Sequence, residues 1–144
     1  MKVQALGHVV IKVRNRERAE RFYHGLLGIP IATRMAEPPM TFFSLGNHHD
    51  FAITVVGDDA PTAPDKAPGL FHVAFKVGNT LDDLREAKAR LDAAGLDAIA
   101  FDHIVTKSLY VTDPDGNTVE LYVDASDAWK TNPAIVASIS PLQL

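Results

Sequence analysis

Two histidines and one glutamate lie in or beside apolar segments that the sequence predicts to be strands. His8 and His72 each open a short β-branched phrase, and Glu120 lies within the apolar segment 118–123. A carboxylate buried in such a strand is costly unless it is paired or bound to a metal. Two imidazoles and a carboxylate leave open coordination positions, which suits Fe(II), with Mn(II), Ni(II) or Zn(II) as alternatives. The sequence therefore predicts a metal site of these three residues; the other interpretation is that they line a polar groove.

The segment that carries His8 is repeated later in the chain. Residues 7–13 read GHVVIKV and residues 71–77 read FHVAFKV, so the histidine, two valines and the lysine recur in the same order. Each copy precedes a helix-forming stretch, 16–27 or 81–94, and then further short strands. We therefore predict an α+β fold of two paired βαβββ modules that form a concave, incomplete β-barrel around the metal site.

Composition suggests where the modules begin and end. Module one spans 1–57 and module two spans 69–124, and together they make one domain. Residues 58–68 are rich in proline, aspartate, alanine and glycine without periodicity, which is typical of a linker. The tail, 125–144, carries scattered apolar residues, so we expect it to pack on the domain or on a second subunit, as in a homodimer.

Capping residues predict the ends of the two helices. Asn15 is a candidate cap for the first helix, and Gly28 is a candidate stop. Thr80 is followed three residues later by Asp83, a spacing that resembles a capping box, and Gly95 ends the second helix.

Charge and composition exclude several classes of function. The chain has no cysteine, so a thiolate zinc site, a disulfide framework and a cysteine nucleophile are all ruled out. The net charge of -4, with acidic and basic residues interspersed, argues against nucleic acid as a partner. Residues 1–4 enter the first predicted strand without an apolar segment before it, and no apolar run is long enough to span a bilayer. We expect a soluble, cytoplasmic protein that does not contact membranes.

Several motifs resemble those of the vicinal oxygen chelate superfamily, which includes glyoxalase I, extradiol dioxygenases, fosfomycin-resistance enzymes and bleomycin-binding proteins. The resemblance lies in the opening strands, in the Arg-Phe-Tyr of residues 21–23, and in the turn 113–117 before the Val-Glu-Leu-Tyr of residues 119–122. It covers nearly the whole chain up to Asp124. The resemblance implies the fold of paired βαβββ modules but does not choose among the activities of the superfamily.

Further residues resemble the extradiol dioxygenases in particular. His49, followed by Asp50, matches their His-Asp pair, in which the histidine is an acid/base beside bound oxygen. His103 and Tyr110 match the segment that supplies a second histidine and a tyrosine to the substrate oxygens. The resemblance implies Fe(II), an aromatic vicinal diol and O2, with imidazole suited to proton transfer near neutral pH. Taken alone, His49 is a solvated turn residue, His103 a polar loop residue and Tyr110 a core tyrosine.

Other activities of the superfamily stay open as alternatives. Glyoxalase I carries a fourth ligand in the last strand of its first module, where this chain has Ala52 or Ile53, so a four-ligand site is disfavoured. The fosfomycin-resistance thiol transferases use three metal ligands, the number predicted in this chain, so the number of ligands does not exclude them. A non-catalytic, drug-binding protein is disfavoured because bleomycin-binding proteins lack the metal triad. We leave His48 as a surface residue.

Overall fold

Each of the two repeated phrases contributes the first strand of its own sheet. A computed structural model of the chain describes residues 1–64 and 66–144, which fall into two units, Met1–Ala67 and Pro68–Leu144. The predicted boundaries at 57, 68 and 124 stay predictions, and residue 65 of the predicted linker lies outside the described residues.

The first unit contains a four-stranded sheet in the order β1-β4-β3-β2. β1 runs parallel to β4, while β3 is antiparallel to both of its neighbours. The strand bounds are Val9–Val13 for β1, Ile31–Met35 for β2, Met40–Phe43 for β3 and Phe51–Val55 for β4. β1 therefore begins one residue after His8, which the sequence had placed inside the strand.

The helix of the first unit changes its winding after one turn. Residues Arg16–Glu20 are α-helical (α1), and Arg21–Leu26 continue as a π-helix. The helix predicted over 16–27 is present, but its second part is wound as a π-helix, and Phe22 and Tyr23 of that part are both buried. The predicted cap is confirmed, since the Asn15 side chain accepts from the Arg18 amide.

The helix covers one face of this sheet and leaves the other face to polar and partly exposed side chains. The Tyr23 ring lies 4.7 Å from the Phe51 ring. Side chains on the covered face are buried, whereas Val10 and Lys12 on the alternate face of β1 are exposed. The buried residues of this core are Ile11, Val13, Ala19, Phe22, Tyr23, Ile29, Phe43, Phe51 and Ile53.

The second unit contains a five-stranded sheet in the order β5-β8-β7-β6-β9. Its strands are β5 (Val73–Gly78), β6 (Ile99–Asp102), β7 (Thr106–Thr112), β8 (Thr118–Asp124) and β9 (Ser140–Pro141). The helix α2 (Leu81–Ala93) contacts β5, β7 and β8, and it begins with the predicted capping box. Leu84 and Leu91 of this helix are buried against Leu109, Val119 and Leu121 on the same face of the sheet.

The last twenty residues contain an element that the sequence pattern did not predict. Two short 3-10 helices, Ala128–Lys130 and Pro133–Ala137, lead into β9, which pairs antiparallel with β6. Backbone pairing with β6 therefore attaches this segment to the sheet of its own unit.

The α+β class and the two βαβββ modules are confirmed, and neither sheet closes into a barrel within the described ranges. Among residues 1–64 and 66–144, no helix is long and apolar enough to cross a membrane.

Candidate metal centre

A buried carboxylate lies on the face of the second sheet that α2 leaves uncovered. Glu120 is only 8% exposed, and its Oε2 lies 3.0 Å from Nε2 of His72. Its Oε1 accepts a hydrogen bond of 2.6 Å from the hydroxyl of Ser108, which is fully buried. His72 and Glu120, two of the three residues predicted as ligands, thus lie together.

Strand register places Tyr110, another predicted site residue, beside Glu120 and His72. Glu120 on β8 lies directly opposite Tyr110 on β7 and Ala74 on β5. Residues paired in this way project from the same face of a sheet. The His72 ring stands edge-on to the Tyr110 ring, with centroids 5.6 Å apart. The alternation of β8 that buries Leu121 under α2 therefore projects Glu120 into this group.

The turn between β7 and β8 holds that register. The buried Asp113 accepts from the backbone amides of Asp115 and Asn117, at 2.9 and 2.8 Å, and from the Asn117 side chain at 2.8 Å. Gly116 has a φ of 94°, a conformation that residues with a side chain rarely adopt. The turn thus holds the β7–β8 register in which Tyr110 lies opposite Glu120.

His103 contacts both the phenol of Tyr110 and the backbone of the C-terminal segment. Its Nε2 lies 3.1 Å from the Tyr110 hydroxyl, and its Nδ1 lies 3.0 Å from the carbonyl oxygen of Ser138. Because a carbonyl can only accept, Nδ1 carries the proton in the neutral ring, and the lone-pair nitrogen Nε2 faces the Tyr110 hydroxyl. Burial and the nearby Glu120 carboxylate raise the pKa of Tyr110 to about 12, so its hydroxyl stays protonated at neutral pH.

The β6–β7 turn presents His103 at some conformational cost. Ile104 adopts a φ of 68°, which is unfavourable for a β-branched residue. The Asp102 carboxylate offsets part of this cost by accepting from the Ile104 amide at 2.7 Å, and it also pairs with Lys107. These contacts hold the pKa of Asp102 below its usual value, with the Lys107 hydrogen bond as the largest cause.

The donor chemistry of this group fits a divalent cation. Among the described residues, Glu120 is paired with no lysine or arginine, and its neighbours are the His72 imidazole and the hydroxyls of Ser108 and Tyr110. Nδ1 of His72 is buried and has no hydrogen-bond partner within the part of the chain that the structure describes. A carboxylate oxygen and an imidazole nitrogen side by side are ligands that Fe(II), Mn(II) and Zn(II) accept.

The first unit holds a separate group of imidazoles. His8 lies beside His49, with ring centroids 4.1 Å apart, and His48 lies 4.6 Å from His49. One ring nitrogen from each of the three lies within 4.8 Å of the others. Desolvation, followed by the neighbouring histidines, lowers the pKa of His49, so its ring is neutral near pH 7.

The predicted site residues therefore fall into two groups, each within one unit. His8 and His49 lie together in the first, and His72, Glu120, Tyr110 and His103 lie together in the second. The ligand set itself stays a prediction. Ala52 and Ile53, the residues in place of a fourth ligand, are fully buried in β4.

Sequence reasoning overlooked Ser108 and underrated His48. Ser108 lies two residues before Tyr110 on β7, so both side chains project from the sheet face that carries Glu120. This alternation along the predicted strand could have identified Ser108 as a site residue. His48 is exposed, as expected, but it lies in the imidazole group of the first unit.

Comparison with known proteins identifies a family model that matches most of this chain. Residues 5–121 match the family model described as Glyoxalase/Bleomycin resistance protein/Dioxygenase superfamily. A crystal structure of a glyoxalase family protein from Enterococcus faecalis superposes with a TM-score of 0.65 and 27% identity, covering 83% of this chain and 97% of that one.

Relatives with three different activities are similar in sequence. Biphenyl-2,3-diol 1,2-dioxygenase 3 of Rhodococcus globerulus is 32% identical over 83% of this chain and 63% of its own length. The mitochondrial methylmalonyl-CoA epimerase of Bos taurus is 32% identical over 60% of this chain and 55% of its own length. Glutathione transferase FosA of Serratia marcescens is 27% identical over 84% of this chain and 82% of its own length. The chain thus spans less than two thirds of the length of the dioxygenase and of the epimerase.

Proposed function

Because the chain belongs to the Glyoxalase/Bleomycin resistance protein/Dioxygenase superfamily, we propose that it is a metal-dependent dioxygenase of the extradiol type. Its substrates would be an aromatic vicinal diol and O2, and its cofactor would be Fe(II). The observation that carries this proposal is the buried Glu120 carboxylate between His72 and Ser108, with the Tyr110 and His103 pair on the same sheet face.

His72 and Glu120 would hold the metal, with His8 as the third ligand. The repeated phrase supports His8, because it opens the first unit as His72 opens the second. Three such ligands leave positions open for a bidentate substrate and for O2, and Fe(II) bound there would hold the two reactants side by side and let electrons pass from the diol, which is oxidised, to O2, which is reduced. Ser108 would hold the Glu120 carboxylate in one orientation, as outer-shell hydrogen bonds do at metal sites.

His103 and Tyr110 would handle the proton of a substrate hydroxyl. The carbonyl of Ser138 keeps the proton of His103 on Nδ1, which leaves the Nε2 lone pair on the side of Tyr110. A diol hydroxyl that displaced the phenol could lose its proton to Nε2 while Tyr110 donated to the neighbouring oxygen. His49, neutral near pH 7, would act as a second acid/base group.

Oxygen uptake tests the proposal. The full chain is loaded anaerobically with Fe(II) and mixed with a panel of catechols while O2 consumption and the absorbance of a yellow ring-opened product are followed. We expect one O2 per diol, with uptake lost in His72→Ala and in Glu120→Gln. The matched controls are His24→Ala and Glu86→Gln, which change an exposed histidine and an exposed helical glutamate.

No O2 uptake with any diol, despite one tightly bound metal per chain, would overturn the dioxygenase. In that case the search moves to thiol transfer and isomerisation on Mn(II), Ni(II) or Zn(II). The transferase is the second candidate because FosA is matched over 82% of its length, more than the dioxygenase is. We also propose a homodimer, which sedimentation equilibrium tests directly.

A further inference from the structure

The imidazole group of the first unit has the composition of a metal site in its own right. We propose that His8, His48 and His49 bind a divalent transition-metal ion without help from the second unit. This set differs from the proposed catalytic ligands in two of its three members. Its ligands are three neutral nitrogens with no carboxylate, a set that favours Cu(II), Ni(II), Co(II) and Zn(II) over Mg(II) and Ca(II).

Distances within the group support this proposal. The ligating nitrogens lie within 4.8 Å of one another, and the His8 and His48 ring centroids are 6.0 Å apart. Imidazole nitrogens bind zinc at about 2.0–2.1 Å, so two ligands on one ion lie about 3.4 Å apart. His8 and His48 are exposed, so small rotations about their side-chain bonds close the remaining gap without disturbing packed neighbours.

Hydrogen bonds hold the turn that carries His48 and His49. Asp50 accepts from the backbone amides of Leu45 and Asn47, at 2.6 and 3.4 Å. The Ser44 hydroxyl donates to the carbonyl oxygen of Asn47 at 2.6 Å. The turn is therefore fixed by its own polar side chains, and the Asp50 carboxylate is already occupied with them.

Asn47 orients the group in the way that outer-shell residues orient metal ligands. Its Oδ1 lies 2.9 Å from Nδ1 of His48, so it accepts the Nδ1 proton and leaves the Nε2 lone pair free. Its Nδ2 donates to the carbonyl oxygen of Gly7 at 3.4 Å, which links the turn to the residue just before His8. One side chain thus contacts the proposed ligand His48 and the backbone of the residue that precedes His8.

Co(II) absorption tests the site on the full chain. The variant Glu120→Gln removes the carboxylate of the proposed catalytic set, and we expect it still to develop visible Co(II) bands on titration. Adding His48→Ala should weaken this binding at least about tenfold, since loss of even an outer-shell partner costs about 10- to 100-fold. Adding His24→Ala instead, an exposed histidine outside the group, should leave the titration unchanged.

Two results would overturn the site: no Co(II) bands in Glu120→Gln, or equal affinity with and without His48. Circular dichroism of each variant checks that it is folded, and a nuclear magnetic resonance titration with Zn(II) should shift the signals of His48 and Asn47 first. The outcome is independent of dioxygenase activity. A consequence that does rest on the proposed function is competition, because His8 belongs to both ligand sets.

Discussion

The Ser108 hydroxyl offers a direct test of the geometry around Glu120. Its hydrogen bond to the carboxylate is 2.6 Å long and joins two residues that are 0% and 8% exposed. A hydrogen bond to a charged group contributes about 1.5–3 kcal/mol, and Ser108→Ala leaves the carboxylate oxygen without its donor. We expect the metal-free variant to lose about 2 kcal/mol of unfolding free energy, which moves the urea midpoint by about 1 M for a slope of about 2 kcal/mol per M.

Urea titration monitored by circular dichroism, with a chelator present, measures this loss. Ser126→Ala is the matched control, because its hydroxyl accepts one neutral backbone bond at 3.1 Å and its loss should cost about 1 kcal/mol or less. The variant should also bind divalent metal about tenfold more weakly, since Ser108 orients the proposed ligand. A loss no larger than that of the control, together with unchanged metal affinity, would refute the assigned role of this hydrogen bond.

Three further predictions follow from other contacts. Tyr110 has a pKa of about 12 in the folded chain against 10.0 ordinarily, so the wild type should lose stability between pH 10 and 12 relative to Tyr110→Phe; equal pH slopes in urea titrations would contradict this. Hydrogen bonds from Arg34 lower the pKa of Glu20 below 4.5, so Glu20→Gln should be less stable than the wild type at pH 7. This difference in stability should shrink as the pH falls below 4.5, and thermal unfolding at a series of pH values measures it. Thr80→Ala removes the hydrogen bond that caps the helix at the Asp83 amide, and it should lower the free energy of unfolding in urea by about 1 kcal/mol. A change within experimental error would mean that water replaces the cap.

Local signals in the sequence were enough to predict the two modules. The repeat at residues 7–13 and 71–77 predicted two opening strands, and each observed strand starts just after its histidine. Thr80 and Asp83 form the predicted capping box because its spacing is determined by a single helical turn. The apolar segment 118–123, predicted to be a strand, is β8, and it carries Glu120 as expected.

Features that depend on tertiary contacts were beyond the reach of such patterns. The π-helix at Arg21–Leu26 is a local change of winding that the apolar spacing of the segment does not encode. Ser108 could be connected with Glu120 only once the β7–β8 register was known. β9 at Ser140–Pro141 is two residues long, too short for any periodicity, and its pairing with β6 is what brings Ser138 to His103.

The parallel pairing of the first and last strands in each βαβββ module has a consequence for folding. β1 can pair only after Phe51–Val55 have been synthesised, and β5 can pair only after Thr118–Asp124 have been synthesised. Parallel pairing across a long crossover is a non-local contact, which slows folding because the connecting chain must be ordered first. During synthesis on the ribosome, His8 and His72 would therefore emerge before the last strand of their own module. The strand that follows each histidine would lack its parallel neighbour until that last strand is made. His8 and His72, which we propose as metal ligands, would be among the last side chains to be fixed in place.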